Sequence, residues 1–169
     1  KNLSVIDPKA SKVIATIDVG GKPEAAVSDG NGKLFVNIED KNEIVAVDLK
    51  TFTVTNHWTL NPAEGPTGLA YDKSTKRLFA GCEKLLVVVN AENGSVVDKI
   101  AIGDGCDGVA FDSKKKIIYT SNGEGSISVI KEINADKFSL LGNYPTKRGA
   151  RTITINENTG TLYLPTADF

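Results

Sequence analysis

Residues 67–102, TGLAYDKSTKRLFAGCEKLLVVVNAENGSVVDKIAI, contain four short β-strand patterns in succession. They are TGLAYD at 67–72, KRLFAG at 76–81, LLVVVN at 85–90 and SVVDKIAI at 95–102. Each pattern is rich in Val, Ile, Leu or aromatic residues and is bounded by Gly, Asn, Asp or Lys, as is typical of strands joined by tight turns. The stretch therefore predicts a unit of four antiparallel strands, called a, b, c and d here.

The same unit recurs along the chain at a constant interval. An aromatic residue in strand b is found at Phe35, Phe79, Tyr119 and Tyr163, with separations of 44, 40 and 44 residues. A second anchor, the last residue of strand c, is found at Asp7, Asp48, Asn90 and Lys131, with separations of 41, 42 and 41. Two unrelated anchors share one period, and a period of about 40 to 45 residues per four-stranded unit is typical of a β-propeller.

The sequence thus predicts an all-β fold, a β-propeller built of four-stranded antiparallel blades. One domain or domain fragment spans residues 1–169, with strands c and d of a first blade in 1–23 and strands a and b of a last blade in 151–169. Complete repeats are predicted at 24–66, 67–106 and 107–150, which makes about four repeat lengths in total. We expect them to be part of a larger ring of about seven blades. The alternative is that the two half-blades pair and close a four-bladed ring.

One segment, KEINADKF at 131–138, is compatible with a helix by composition. Asn134, Ala135 and Asp136 follow a strand pattern directly, so we interpret the segment as an enlarged hairpin connection.

Two stretches resemble a known family. SVIDPKASKVIATIDVGGKP at 4–23 and the tetrapeptide YTSN at 119–122 are similar to the YVTN-type, YncE-like β-propeller proteins. The resemblance covers the whole chain, but its matching residues belong mainly to packing and turns, and FAGC at 79–82 and YLPT at 163–166 depart from the tetrapeptide. The resemblance implies a complete ring of about seven blades and a periplasmic or extracellular location.

Composition narrows the function classes. The 169 residues include 20 basic and 21 acidic side chains and 40% hydrophobic residues, which is typical of a globular domain. Because the two kinds of charge nearly balance, the chain has no overall electrostatic field that would attract nucleic acid or anionic lipid. No apolar run approaches the roughly 18 to 20 residues of a membrane span. The chain lacks Met and starts at Lys1 within a strand pattern, so we expect a fragment or a processed form.

The d-to-a and b-to-c connections of a propeller emerge at one face, and here they vary most between repeats. The residue that enters strand a is in turn Glu24, Thr67, Asp107 and Arg151. Because loops on a rigid scaffold carry function, this face is the candidate ligand site. Its polar residues expected near the channel mouth are Glu24, Glu39, Asp107, Asn122, Glu124 and Arg151.

The basic residues divide between the two faces. TKRGAR at 146–151 places Lys147, Arg148 and Arg151 on the loop side, where guanidinium groups suit phosphate or carboxylate partners. The KKK run at 114–116 lies in an a-to-b turn on the opposite face and is interpreted as a solubilising turn. The one histidine, His57, is expected in strand d at the rim, in a structural or exposed role.

Cys82 and Cys106 are the two cysteines. They lack the spacing of a zinc or C-x-x-C redox site, and two free, partly buried thiols are the simpler interpretation. Both are expected on the loop side of neighbouring blades, so a disulfide between them in an oxidising compartment is the alternative.

Three function hypotheses follow. The first is a non-catalytic binding or interaction module of the cell envelope, with a protein, a peptide or a small anionic ligand as partner and nucleic acid as a further alternative. No cofactor is expected for this binding module. The second is a lactonase-like hydrolase with a divalent metal held by residues such as Glu24, Asp107 and Asn122. The third is a structural element that self-associates to complete a ring.

Overall fold

The computed structural model describes residues 1–167 as five antiparallel β-sheets. The first sheet holds β1 (Asn2–Asp7) and β2 (Lys12–Asp18). The second holds β3 (Pro23–Ser28), β4 (Lys33–Ile38), β5 (Glu43–Asp48) and β6 (Thr53–Thr59), with a 3-10 turn at Glu39–Lys41. The third holds β7 (Leu69–Asp72), β8 (Arg77–Gly81), β9 (Leu85–Asn90) and β10 (Val96–Ala101). The fourth holds β11 (Cys106–Asp112), β12 (Ile117–Asn122), β13 (Ser126–Asn134) and β14 (Lys137–Pro145), and the fifth holds β15 (Thr154–Asn156) and β16 (Thr161–Tyr163).

Each sheet is a meander in which consecutive strands pair antiparallel. The first strands of successive sheets, β3, β7, β11 and β15, contact one another and form the inner side of the arrangement. This is the blade arrangement of a β-propeller, and the predicted fold class is confirmed. We call the sheets blades 1 to 5 in chain order; blades 2, 3 and 4 are complete.

The half-blades at the two ends remain separate in this structure. Blade 1 consists of β1–β2 and blade 5 of β15–β16, and within residues 1–167 the two do not pair with each other. The four-bladed closed ring is therefore not the arrangement found here, and the size of a larger ring stays a prediction. No helix in residues 1–167 is long and apolar enough to cross a membrane.

Apolar side chains pack between neighbouring blades. Between blades 2 and 3, the Phe35 and Tyr71 rings lie with centroids 5.9 Å apart, and Trp58 stacks on Phe35 from within blade 2 at 5.7 Å. Between blades 3 and 4, the Phe79 and Phe111 rings lie 5.1 Å apart. Phe35 and Phe79 are fully buried strand-b aromatics, so these two of the four period-setting residues hold adjacent blades together.

The second sequence anchor has a different role, in the turns. Asp48 Oδ1 accepts hydrogen bonds from the backbone N–H of Lys50 (2.7 Å) and Thr51 (2.9 Å). Asp7 Oδ1 accepts the equivalent bonds from Lys9 and Ala10. These contacts close the c-to-d turns, because a short carboxylate mimics a backbone acceptor at a chain reversal. They also lower the pKa of Asp48.

The segment 131–138 forms the end of the long β13–β14 hairpin, as predicted. Asn134 pairs with Lys137, and Asn134 Oδ1 accepts the backbone N–H of Asp136 at 2.9 Å. Both strands are longer than their counterparts in blades 2 and 3, with nine residues each.

Candidate ligand-binding face

The antiparallel meander gives the blades two ends. The b-to-c and d-to-a connections, which include residues 60–68, 82–84, 102–105, 123–125 and 146–153, form the loop face. The a-to-b and c-to-d hairpin turns, which include 29–32, 73–76, 113–116, 135–136 and 157–160, form the turn face.

A lysine brings two predicted site residues together on blade 2. Lys22 Nζ lies 3.0 Å from Glu24 Oε1 and also contacts the carboxylate of Glu39. The hydrogen bonds to Glu39 and Glu24 raise the pKa of Lys22. Because the Lys22 side chain is 58% exposed, this is a solvated surface cluster in which both carboxylates already have a cation partner.

Asn122, by contrast, is fully buried at the end of β12. Its Nδ2 donates to Ser126 Oγ and Ser128 Oγ, both at 3.0 Å, and its Oδ1 accepts from Thr120 Oγ1 at 3.1 Å. Glu124 Oε1 accepts from Ser126 Oγ at 2.8 Å. Asn122 thus fixes the 123–125 turn from inside, while Glu124 is the exposed residue at its tip.

The channel mouth is formed by the loop-side ends of the inner strands. A cavity of about 250 Å³ is lined by Gly68, Leu69, Asp107, Thr152 and neighbouring inner-strand residues. At its edge, Arg151 Nε lies 3.7 Å from Asp107 Oδ2, and the Arg151 side chain is 64% exposed. The structure therefore brings Asp107 and Arg151 together across two blades, as a loose ion pair open to solvent.

The basic loop at 146–151 is held against blade 4 by its backbone. Thr146 N–H donates to Gly125 O at 2.8 Å, and Gly149 N–H donates to Gly123 O at 3.0 Å. Gly125 has φ of 105°, and a Cβ there would lie 3.0 Å from the Arg148 nitrogen, so the close approach requires glycine. Arg148 is exposed and borders a cavity of about 540 Å³ with Gly149 and Pro165.

Three polar contacts that sequence reasoning missed position the loop face. Asn37 Nδ2 donates to Gly68 O at 2.9 Å, Thr67 Oγ1 donates to Cys106 O at 2.6 Å, and Ser121 Oγ donates to Arg151 O. Each joins one blade to the entry of the next blade's strand a. Asn37 and Ser121 stand two residues after the strand-b aromatic, which is the signal that could have found them.

The two cysteines are free and buried. Cys82 packs in the core between blades 2 and 3, whereas Cys106, the first residue of β11, packs in the core between blades 3 and 4. Burial raises the pKa of the Cys82 thiol to about 12 and also raises that of Cys106. Cys106 Sγ lies against Gly81, the residue before Cys82, so the two free thiols are near each other, and a disulfide between them stays a prediction.

The lysine run on the turn face does more than the expected solubilising turn. Lys116 Nζ donates to Asp72 Oδ2 and Ser74 Oγ of the neighbouring blade and lies 5.5 Å from the Phe111 ring centroid. Lys114 Nζ donates to Asn158 Oδ1 of blade 5 at 3.1 Å. The run is correctly placed in an a-to-b turn, but its side chains bridge blade 4 to the blades on both sides.

A second bridge comes from the long β13–β14 hairpin. Arg77 Nη2 donates to Asp136 Oδ1 at 2.8 Å, and its Nε donates to Ala135 O at 2.8 Å. Thr75 Oγ1 lies 2.7 Å from Glu132 Oε1, with Glu132 only 3% exposed. Burial raises the pKa of Glu132.

His57 is on the outer strand β6, as expected, and its Nδ1 lies 2.9 Å from Glu43 Oε1.

In the part of the chain that the structure describes, no group of three or more His, Cys, Asp or Glu side chains is placed to hold a metal ion. Glu24, Asp107 and Asn122 do not converge: Glu24 pairs with Lys22, Asp107 faces Arg151, and the Asn122 carboxamide is bonded inside the blade.

Comparisons with known proteins support the fold. No protein-family model matches the sequence, so the YVTN-type likeness stays a resemblance. No curated protein matches it either. Among solved structures, the chain is similar to a candidate 6-phosphogluconolactonase of Bacteroides uniformis, with a TM-score of 0.81 and 14% identity over 95% of this chain and 56% of that one.

Two further solved structures match at comparable quality. A chain of a mitotic checkpoint complex has a TM-score of 0.80 and 14% identity, over 92% of this chain and 50% of that one. Hydrazine synthase of Kuenenia stuttgartiensis has a TM-score of 0.71 and 17% identity, over 90% of this chain and 45% of that one. The chain thus spans about half the length of the structures it matches, and at these identities the likeness is one of fold.

Proposed function

We propose that this β-propeller chain is a non-catalytic binding module of the cell envelope that engages a protein or peptide partner through its loop face. The proposal rests on a difference in how deeply charged side chains are buried at the two faces. Within residues 1–167, the buried charged side chains are Asp72, Arg77, Asp112 and Glu132. All four lie toward the turn face, and three of them bond across blade boundaries.

The loop face, in contrast, has several charged side chains that are largely exposed to solvent. The Arg151 and Lys84 side chains are 64% and 70% exposed, and Asp104 is 50% exposed. Exposed ion pairs contribute little to folding, typically below about 1 kcal/mol, so these residues are available to a partner at small cost in stability. Rigid strands support them from below, as in other binding surfaces built from loops.

The basic loop supports an acidic partner. Arg148 and Arg151 are exposed guanidinium groups on a loop that two backbone hydrogen bonds hold in place. Guanidinium binds carboxylates in a bidentate manner, so an acidic segment of a protein or peptide is the ligand class that fits this part of the face.

Binding of a hexaglutamate peptide, measured by NMR titration of the isotopically labelled chain, tests the proposal. We expect chemical-shift changes at 123–125 and 146–151 that weaken with added salt, because screening reduces exposed electrostatic contacts. The double variant Arg148→Ala/Arg151→Ala should abolish them. The matched control, Lys9→Ala/Lys12→Ala, removes two exposed lysines from the β1–β2 hairpin and should bind like the wild type.

Shift changes confined to the turn face, or equal binding by the two double variants, would contradict the proposed loop-face site.

The envelope location rests on the sequence resemblance and has a separate test. Fractionation of cells that make the full-length gene product should recover it in the periplasm or the medium; recovery in the cytoplasm would overturn the location while leaving the binding site standing.

A further inference from the structure

A larger cavity lies on the inner side of the blades, toward the turn face. Its volume is about 650 Å³, compared with about 250 Å³ at the channel mouth on the loop face. It runs across four blades, from Val27 on β3 through β7 and Phe111 on β11 to Glu157 in the β15–β16 turn. Small-molecule sites in proteins typically have volumes of about 300 to 1,000 Å³, so this cavity has the size of a binding site.

Part of the wall of this inner cavity is apolar and aromatic. Val27, Leu69, Tyr71 and Phe111 line it, and each is supported from behind by interblade packing. The Tyr71 ring packs 5.9 Å from Phe35, centroid to centroid. Burial raises the pKa of Tyr71, so its hydroxyl stays protonated at neutral pH and able to donate a hydrogen bond.

Four charged residues line the cavity, and they differ in their partners. Lys116 and Asp72 bind each other near the middle and neutralise one another. Lys73, in the β7–β8 turn, has no acidic side chain within ion-pair distance among residues 1–167. Glu157 accepts hydrogen bonds from Ser113, but within the same residues it has no cation partner; the neighbouring Lys114 ammonium binds the Glu157 backbone carbonyl instead.

The cavity is therefore polarised along its length. Lys73 belongs to blade 3 and Glu157 to blade 5, with the turn of blade 4 between them. Both side chains are exposed to solvent until a ligand covers them. A cation of blade 3 and an anion of blade 5, with an apolar and aromatic patch in the same cavity, match a ligand that carries opposite charges at its two ends.

We propose that the inner cavity is a second binding site, separate from the loop face, for short peptides that have free termini and apolar side chains. The peptide carboxylate would face Lys73, its ammonium group would face Glu157, and its side chains would pack against Tyr71, Phe111 and Leu69. The site then selects by charge at both ends and by apolar surface between them.

Calorimetric titration with the dipeptide Leu-Phe and its blocked forms tests the assignment. The unblocked dipeptide should bind, and both N-acetyl-Leu-Phe and Leu-Phe-amide should bind at least about tenfold more weakly, since each loses one charge-assisted hydrogen bond. Lys73→Met should erase the difference between Leu-Phe and Leu-Phe-amide. Glu157→Gln should erase the difference between Leu-Phe and its N-acetyl form.

Two control variants show whether binding depends on this cavity. Lys50→Met removes an exposed lysine from a c-to-d turn and should leave the whole series unchanged. Val27→Trp fills the cavity from β3 and should abolish binding while the circular dichroism spectrum stays that of the wild type. If Val27→Trp unfolds instead, the Lys73→Met and Glu157→Gln comparisons decide the outcome alone.

The proposal is overturned if Leu-Phe gives no heat, or if blocked and unblocked forms bind equally. It is also overturned if Arg148→Ala/Arg151→Ala abolishes Leu-Phe binding, because that result would place the dipeptide on the loop face. Failure of hexaglutamate to bind would leave this site untouched, so the two proposals fail independently.

Discussion

At the scale of single residues, the turn face holds two carboxyl groups that share one hydroxyl. Thr75 Oγ1 lies 2.9 Å from Asp72 Oδ2 and 2.7 Å from Glu132 Oε1. A hydroxyl has one hydrogen to donate, so one of these two contacts needs a proton from a carboxyl group. Burial alone would raise the pKa of Asp72, but hydrogen bonds from Lys116, Ser74 and Thr75 outweigh it and hold that pKa well below the usual range. Glu132, whose pKa burial raises, is therefore the carboxyl of the two that is protonated more readily.

This arrangement predicts a pH dependence of stability. A carboxyl whose pKa is higher in the folded than in the unfolded chain stabilises the fold fully below the unfolded value, about 4.3, and loses that contribution as the pH rises through the folded pKa. We expect the free energy of unfolding of the wild type to fall between pH 5 and pH 8 relative to Glu132→Gln, which keeps a neutral group there. Urea unfolding of both proteins at the two pH values measures it. A wild type and variant that respond identically would show that Glu132 is ionised throughout.

Individual residues also show which placements and contacts could be predicted from the sequence and which could not. Arg148 and Glu124 lie exposed in the loop-face turns in which the sequence placed them, because turn chemistry locates loops, and their role in ligand binding stays a prediction. Asn122 was expected at the channel mouth but is buried, because Ser126 and Ser128 on the next strand face it; their alternation in SNGEGSIS was the available signal. Contacts such as Lys116 with Asp72 join residues 44 positions apart and depend on how blades align, which a single repeat does not encode.

At the scale of elements, strand b carries the packing between blades. Phe79 on β8 is fully buried and contacts the rings of Phe111 and Phe138, 5.1 Å and 5.9 Å away between centroids. Tyr163 on β16 has the same place in the repeat but is 52% exposed. The aromatic period predicted which strand would hold these rings, whereas their burial depends on the neighbouring blade.

Substitution of the two equivalent aromatics should therefore have unequal effects. We expect Phe79→Ala to lower the free energy of unfolding by about 3 to 5 kcal/mol, through lost transfer energy and a cavity. Tyr163→Ala should stay within about 0.5 kcal/mol of the wild type, as expected for an exposed site. Denaturant titration followed by Trp58 fluorescence measures both. Phe79→Leu, which leaves a smaller cavity, keeps the comparison usable if Phe79→Ala does not fold, and equal effects at Phe79 and Tyr163 would refute the interblade role of strand b.

At the scale of the whole molecule, the two faces have different tasks. Toward the turn face, Asp72, Arg77 and Glu132 are buried and connect blades 3 and 4. At the loop face, the Lys84–Asp104 and Arg151–Asp107 pairs are loose, and the cations Lys84 and Arg151 are largely exposed. Repetition in the sequence was enough to predict the blades and the two faces. It did not predict which face stabilises the fold, because that follows from contacts between repeats and not from the repeat itself.

The most direct measurement of this division is the free energy of unfolding of one cation variant from each face. Lys116→Ala leaves the buried Asp72 carboxylate without its cation and should cost about 2 to 3 kcal/mol. Arg151→Ala breaks only the exposed pair with Asp107 and should change the value by less than about 0.5 kcal/mol. Equal losses in the two variants, or a larger loss in Arg151→Ala, would contradict the conclusion that the turn face holds the blades together and the loop face is free to bind.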